Sequence, residues 1–239
     1  MKKLLYITLS IVCFAMGLNA QNRGETIRNL PHYDRQKVHF GFLLGMNTFN
    51  FVIKDNPNIK SLDSVYVVQS SPDIGFSLGI VSNLHLGDNF DLRFLPGLSF
   101  GSRNMTYTLK VQNNDTSAFV PFVKKVESTY LEFPLLMKFK SRRYGNFRAY
   151  VIGGGRYTLD LASQAKVNDD GKQSIKLNRS DYYYEVGFGL DFYLEYFKFS
   201  TEIKAAWGLR DMLKRENHLY SQSISALRAK SIFISFLFE

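Results

Sequence analysis

Beyond residue 20 the sequence holds no apolar run long enough to cross a membrane as a helix, which takes about 20 consecutive residues. A helical membrane protein is thereby excluded for everything downstream. Cysteine is almost missing: Cys13 is the only one, and it stands inside the first twenty residues, so the exported chain has no disulfide. Histidine is scarce as well. His32, His39, His85 and His218 lie in unrelated places, and none is paired at a metal-ligand spacing, so no metal and no cofactor is expected. No Gly-Lys-Ser/Thr follows the triplet Gly153-Gly154-Gly155, which rules against a phosphate cradle. A tight lumen or a bent strand is the expected reason for that triplet. No block of like charge occurs either, although the 30 basic residues outnumber the 21 acidic ones.

What is present begins with a three-part leader. Lys2 and Lys3 precede an apolar run from Leu4 to Leu18, and Asn19-Ala20 offers a cleavage end, the layout of a secretory signal peptide. The run is short for a membrane anchor, and Ser10, Ile11 and Val12 before Cys13 do not form a lipoprotein cleavage site. Residues 1–20 are thus expected to be removed near Ala20. Losing Lys2 and Lys3 leaves 28 basic against 21 acidic residues, a scattered excess of +7. Nucleic-acid binding calls for a basic patch on one face, so no nucleic-acid partner is expected. Anionic lipid head groups suit scattered basic loops better.

From residue 38 onward, eight segments alternate apolar residues with small or polar ones at a period of two, the pattern of a sheet with two unlike faces. Phe40, Phe42, Leu44 and Met46 oppose Gly41, Gly45 and Asn47, and the second segment sets Phe76, Leu78 and Ile80 against Ser77 and Gly79. In the third, Phe90, Leu92, Phe94, Leu98 and Phe100 oppose Asp91, Arg93, Gly97, Ser99 and Arg103. The fourth sets Leu131, Phe133 and Leu135 against Glu132 and Lys138, and the fifth Phe147, Val151 and Tyr157 against Arg148 and Arg156. The sixth is the most regular, with Tyr182 to Leu194 alternating against Asp181, Glu185 and Asp191. The seventh opposes Phe199, Ile203 and Trp207 to Glu202 and Lys204, and the eighth Ile232, Ile234, Phe236 and Phe238 to Ser231 and Ser235.

Connections alternate in length. Short ones fall at Gly87–Asn89, Ser141–Asn146 and Glu195–Tyr196, and long ones at Val52–Pro72, Lys110–Lys125, Ala162–Arg179 and Asp211–Arg228. An even number of antiparallel strands with short periplasmic turns, long extracellular loops and aromatic girdles is the signature of a transmembrane β-barrel. Phe40, Phe90, Phe139, Phe147, Phe192, Phe199 and Phe238 fall on the outer face at the short-turn end, and Phe100, Tyr157, Tyr182 and Trp207 near the other. The expectation is an all-β, eight-stranded antiparallel up-and-down barrel over residues 38–239, in the outer membrane, with 21–37 as a periplasmic pre-barrel segment. Pro96 and Pro134 each remove a ladder donor, so a bulge or kink is expected there.

Ten inward charges, Arg93, Arg103, Glu132, Lys138, Arg148, Arg156, Glu185, Asp191, Glu202 and Lys204, are expected to form an ion-pair network that fills the lumen. Eight strands leave room for side chains only, so a pore is not expected. Glu216, His218 and Ser221 share the last long loop and contain the residue types of a hydrolase triad. Mobile polar loops gather such residues by chance, and no catalytic residue is assigned. The protein is expected not to be an enzyme.

Tyr130-Leu131-Glu132-Phe133-Pro134-Leu135-Leu136-Met137-Lys138 is similar to the Tyr-Leu-Glu-Ile-Pro-Leu-Leu-Leu-Lys stretch of a broad superfamily of small bacterial outer-membrane β-barrels. Asn29-Leu30-Pro31-His32-Tyr33-Asp34, followed by His39-Phe40-Gly41-Phe42-Leu43-Leu44-Gly45-Met46-Asn47, resembles the opening of the PorT family. Where many such barrels finish on an aromatic residue, here Phe238 is followed by Glu239. The resemblance implies a non-enzymatic component of the type IX secretion system, which exports proteins and, in gliding bacteria, adhesins. It also implies other secretion-system proteins as partners. Leu30, His32 and Tyr33 are the candidate partner contacts, unless the segment that carries them only plugs the lumen. A lipid-modifying enzyme using His218 and a general structural or adhesive barrel are the alternatives.

Overall fold

The computed structural model describes residues 28–55, 65–113, 116–162, 177–215 and 224–239. The leader expected at residues 1–20, the first part of the pre-barrel segment, and Glu216, His218 and Ser221 lie outside the described residues. The strands are β1 (Val38–Asp55), β2 (Val65–His85), β3 (Phe90–Phe94), β4 (Gly97–Asn113), β5 (Thr116–Lys140), β6 (Phe147–Asp160), β7 (Ser180–Tyr193), β8 (Lys198–Gly208) and β9 (Ile224–Phe238). Each pairs antiparallel with its neighbours, and β1 pairs with both β2 and β9, which closes the sheet. Because β3 and β4 share one place between β2 and β5, the nine pieces make a ring of eight strands.

The two-residue period decides which side chains face out. Along β1, Phe42, Leu44 and Met46 are exposed, whereas Leu43, Asn47, Phe49 and Phe51 are buried. Along β8 the buried set is Lys198, Ser200, Glu202, Lys204, Ala206 and Gly208. A greasy outside around an inside that buries many charges reverses the arrangement of a water-soluble core.

The break between β3 and β4 falls at Leu95-Pro96, and Pro134 lies opposite it on β5. Of the bulge or kink expected there, no bulge forms: β3 and β4 keep one register against β5, with Phe94 opposite Leu135 and Gly97 opposite Glu132. Only the ladder is interrupted. The prolines share a single gap, and the backbone around them finds other partners. Leu95 N–H donates to the Pro134 carbonyl at 3.2 Å, and Ile80 N–H to the Pro96 carbonyl at 2.9 Å.

Ladders at the long-loop end run further than the composition of those segments suggested. β4 and β5 stay paired from Gly97 with Glu132 up to Asn113 with Thr116, so most of the loop expected at Lys110–Lys125 is a β-hairpin. β1 and β2 likewise reach into the stretch expected as the loop Val52–Pro72. Thr, Val, Tyr and Phe favour strands. At the opposite end the turns are short, with Leu86 N–H donating to the Phe90 carbonyl and Leu194 N–H to the Phe197 carbonyl, both at 3.0 Å.

Candidate functional site

Two bands of outward aromatics mark the levels expected for the girdles. At the short-turn end Phe147, Phe192, Phe199 and Phe238 touch in sequence across β6 to β9, with centroids 5.7, 6.3 and 5.3 Å apart, and Phe90 meets Phe139 at 5.1 Å. Near the other end Phe133, Tyr157 and Tyr182 form one chain, and Tyr184 stacks on Trp207 at 5.1 Å.

All ten inward charges named from the sequence are buried in the lumen. Arg93 on β3 donates to Glu202 on β8 at 3.0 Å, with both side chains at 0% exposure. These strands stand four places apart in the ring of eight, so this ion pair crosses the lumen from wall to wall. Lys138 donates to both oxygens of Asp191 at 2.9 and 2.8 Å. Arg156 pairs with Glu132 at 3.1 Å and approaches Glu185 at 3.7 Å, and Lys204 pairs with Glu202 at 3.1 Å. Arg103 lies outside these pairs: it donates to Ser128 and Tyr130 and caps the Phe51 ring at 3.9 Å. Arg148 turns toward the short-turn mouth, where it meets Asp34.

The network has members beyond the ten, some of them, such as Asp91, already on the inward side of the alternation. Lys198 and Glu239 pair at 2.6 Å, Glu239 also accepts from Arg93 at 3.2 Å, and Tyr150 donates to Glu202 at 2.9 Å. Lys140 and Asp91 form a further pair at 2.7 Å. Period two would have found Glu239, since Ser231, Ser235 and Leu237 before it all face inward. Toward the long-loop end much of the filling is apolar, with Arg103 set into it. Phe49, Met105, Tyr107, Tyr130, Tyr183, Leu227 and Phe233 pack there as one buried apolar cluster, which corrects the expectation of a polar filling throughout.

Glycines make room for this packing. A Cβ at Gly189 would lie 2.4 Å from the Tyr150 ring, and one at Gly154, the inward member of the triplet, would lie 2.4 Å from the Leu135 carbonyl.

The short-turn mouth is closed by the chain itself. Residues 28–37 form a strap containing a single 3-10 turn, Tyr33–Arg35. Asn29 donates from its side chain to the Tyr193 carbonyl at 3.0 Å, and its backbone N–H donates to Asn146 at 2.9 Å. Arg143 donates to the Asn29 carbonyl. The Tyr33 ring stacks on His39 with centroids 3.9 Å apart, and its hydroxyl donates to Glu239 at 2.9 Å. Burial, with the Glu239 carboxylate alongside, pushes that hydroxyl far above its ordinary pKa, so it stays a donor. Asp34 accepts two bonds from Arg148, at 3.0 and 2.8 Å. Burial works to raise the Asp34 pKa, but the bonds and charge of Arg148 outweigh it and hold the carboxyl below its ordinary range.

Of the three candidate contacts, Tyr33 is therefore engaged in closing the barrel. His32 is exposed and Leu30 half-buried. Leu30 adopts φ of 48°, a left-handed conformation that disfavours leucine. Among the described residues no group of His, Cys, Asp or Glu is placed to hold a metal ion.

The family model described as outer membrane protein beta-barrel domain matches residues 19–214. The chain belongs to this family of outer-membrane barrels. Among solved structures it is similar to the outer membrane protein OprG from Pseudomonas aeruginosa, at 14% identity over 85% of this chain and 94% of that one, TM-score 0.42. It is also similar to Neisserial surface protein A, at 12% identity over 84% and 98% of the two chains, TM-score 0.41. No curated protein matches the sequence.

Proposed function

We propose that this barrel is a non-enzymatic component of the type IX secretion apparatus, exported by its leader and inserted with the short turns in the periplasm, where it assembles or supports its neighbours through its periplasmic mouth. The observation that carries this reading is how the PorT-like stretch divides. Asn29, Tyr33 and Asp34 point into the barrel and dock the strap, which leaves Leu30, Pro31 and His32 at the surface between them. A docked strap with an outward tip presents a fixed contact. The strain at Leu30 supports the same view, since a leucine in the left-handed region costs about 1–2 kcal/mol relative to its relaxed state, and strained residues gather where a surface is used.

A solid lumen argues against transport through the barrel, because the Arg93–Glu202 pair spans it and the polar core leaves little free volume. A deletion strain tests the proposal. It should lose secreted cargo while its lipid A acyl chains stay unchanged, and a strap variant carrying His32→Ala with Leu30→Gly should lose cargo while its barrel still folds. Normal secretion with altered acyl chains would point instead to a lipid-modifying enzyme, whose activity His218→Ala should abolish. Normal secretion with unaltered lipid would leave a general structural barrel.

A further inference from the structure

The outer wall of β5 to β8 carries a hollow of about 690 Å³ that the secretion role does not use. At one height its lining runs Met137, Gly153, Val186 and Ala205, neighbours in register across the four strands. Val151 and Phe188 form the next row toward the short-turn end, and the stacked Tyr184 and Trp207 rise on the other side. The depression therefore lies between the two aromatic levels, in the band that faces hydrocarbon in an outer-membrane barrel.

Packing does not explain the glycine at its centre. A Cβ on Gly153 would come no nearer than 3.7 Å to any atom, an ordinary contact, whereas the same addition at Gly154 would clash. Glycine in a strand interior is costly, and the strand positions around it carry Val, Phe and Met. The missing side chain is what opens the hollow. Water gains nothing there, since the lining is apolar and the strand backbone is already paired.

We propose that this hollow holds one acyl chain of a bilayer lipid, seated against Gly153 and Ala205 and retained longer than the lipid around it. The occupant follows from continuity: the hollow opens directly onto the lipid-facing surface, so hydrocarbon fills it, and its concave walls touch the chain on more than one side. Chain contact on several sides gives a dispersion gain that a flat barrel wall lacks.

The full-length mature protein, purified in detergent, tests this in two ways. Native mass spectrometry should find a single retained phospholipid on the wild-type barrel, and about tenfold less of that species on Gly153→Leu. Ala205→Leu fills the hollow from its other wall and should behave alike. Separately, one molar equivalent of a phosphatidylethanolamine brominated in mid-chain should quench Trp207, the only tryptophan, in the wild type, with quenching lost in both filled variants. Equal retention by wild type and filled variants would overturn the proposal. So would a photocrosslinker at position 153 that captures polypeptide, not lipid, in intact cells.

Discussion

Removing the Arg93 guanidinium is the most telling perturbation of the lumen. Arg93 pairs with Glu202 at 3.0 Å and Glu239 at 3.2 Å, and all three side chains are at 0% exposure. Arg93→Met keeps most of the length and apolar stem but takes the shared cation from two buried carboxylates, leaving Glu202 to Lys204 and Glu239 to Lys198 alone. Taking one partner from a buried ion pair costs about 3–5 kcal/mol, a large share of the roughly 5–15 kcal/mol that holds a domain together. Glu202→Gln should cost less, about 1.5–3 kcal/mol, because Arg93 keeps Glu239. The double variant should lose less than the two single losses together, with a coupling of about 0.5–3 kcal/mol. Urea unfolding of the refolded barrel in lipid vesicles, followed by Trp207 emission and by heat-modified gel mobility, measures all four proteins. An Arg93→Met barrel within 1 kcal/mol of wild type, or strictly additive losses, would refute a load-carrying ion pair across the lumen.

Asp34 sets a pH limit on the strap. Its folded pKa lies below the ordinary value, so its contribution is present above the ordinary carboxylate range and is lost as pH falls through the lowered folded value. A spin label on His32→Cys should stay immobile from neutral pH down to about 4 and loosen below, and Asp34→Asn should loosen it at every pH. Gly189→Leu should destabilise the barrel by about 1–3 kcal/mol or more, since it drives the Tyr150 ring off Glu202, whereas Gly153→Leu should leave the urea midpoint nearly unchanged. Leu30→Gly should relieve about 1–2 kcal/mol of backbone strain and leave the barrel at least as stable while reducing secretion.

Strand number, antiparallel order, the two-sided walls and the inward charges were all legible in the sequence because side-chain direction alternates strictly along a strand. What stayed hidden had two causes. Sorting residues by polarity assigns apolar side chains to the lipid, so Phe49, Tyr130, Tyr183 and Phe233 were overlooked as lumen residues even though their position in the alternation, two steps from Asn47, Glu132, Asp181 and Ser231, places them inside. Partners across the ring were the second gap. Arg93 and Glu202 are 109 positions apart, and nothing local shows which walls face each other once β1 closes on β9. The strap shows the second gap again: its sequence left open a partner segment or a plug, and nothing local shows that Tyr33 and Asp34 dock on Glu239 and Arg148, more than 100 positions away.

Single-channel recording in a planar bilayer tests the solid lumen most directly. Purified barrel inserted in a lipid bilayer should give no stepwise conductance, because an ion pair and a packed apolar cluster occupy the space between the walls. Stable, reproducible steps of large conductance from the wild-type protein would contradict that picture.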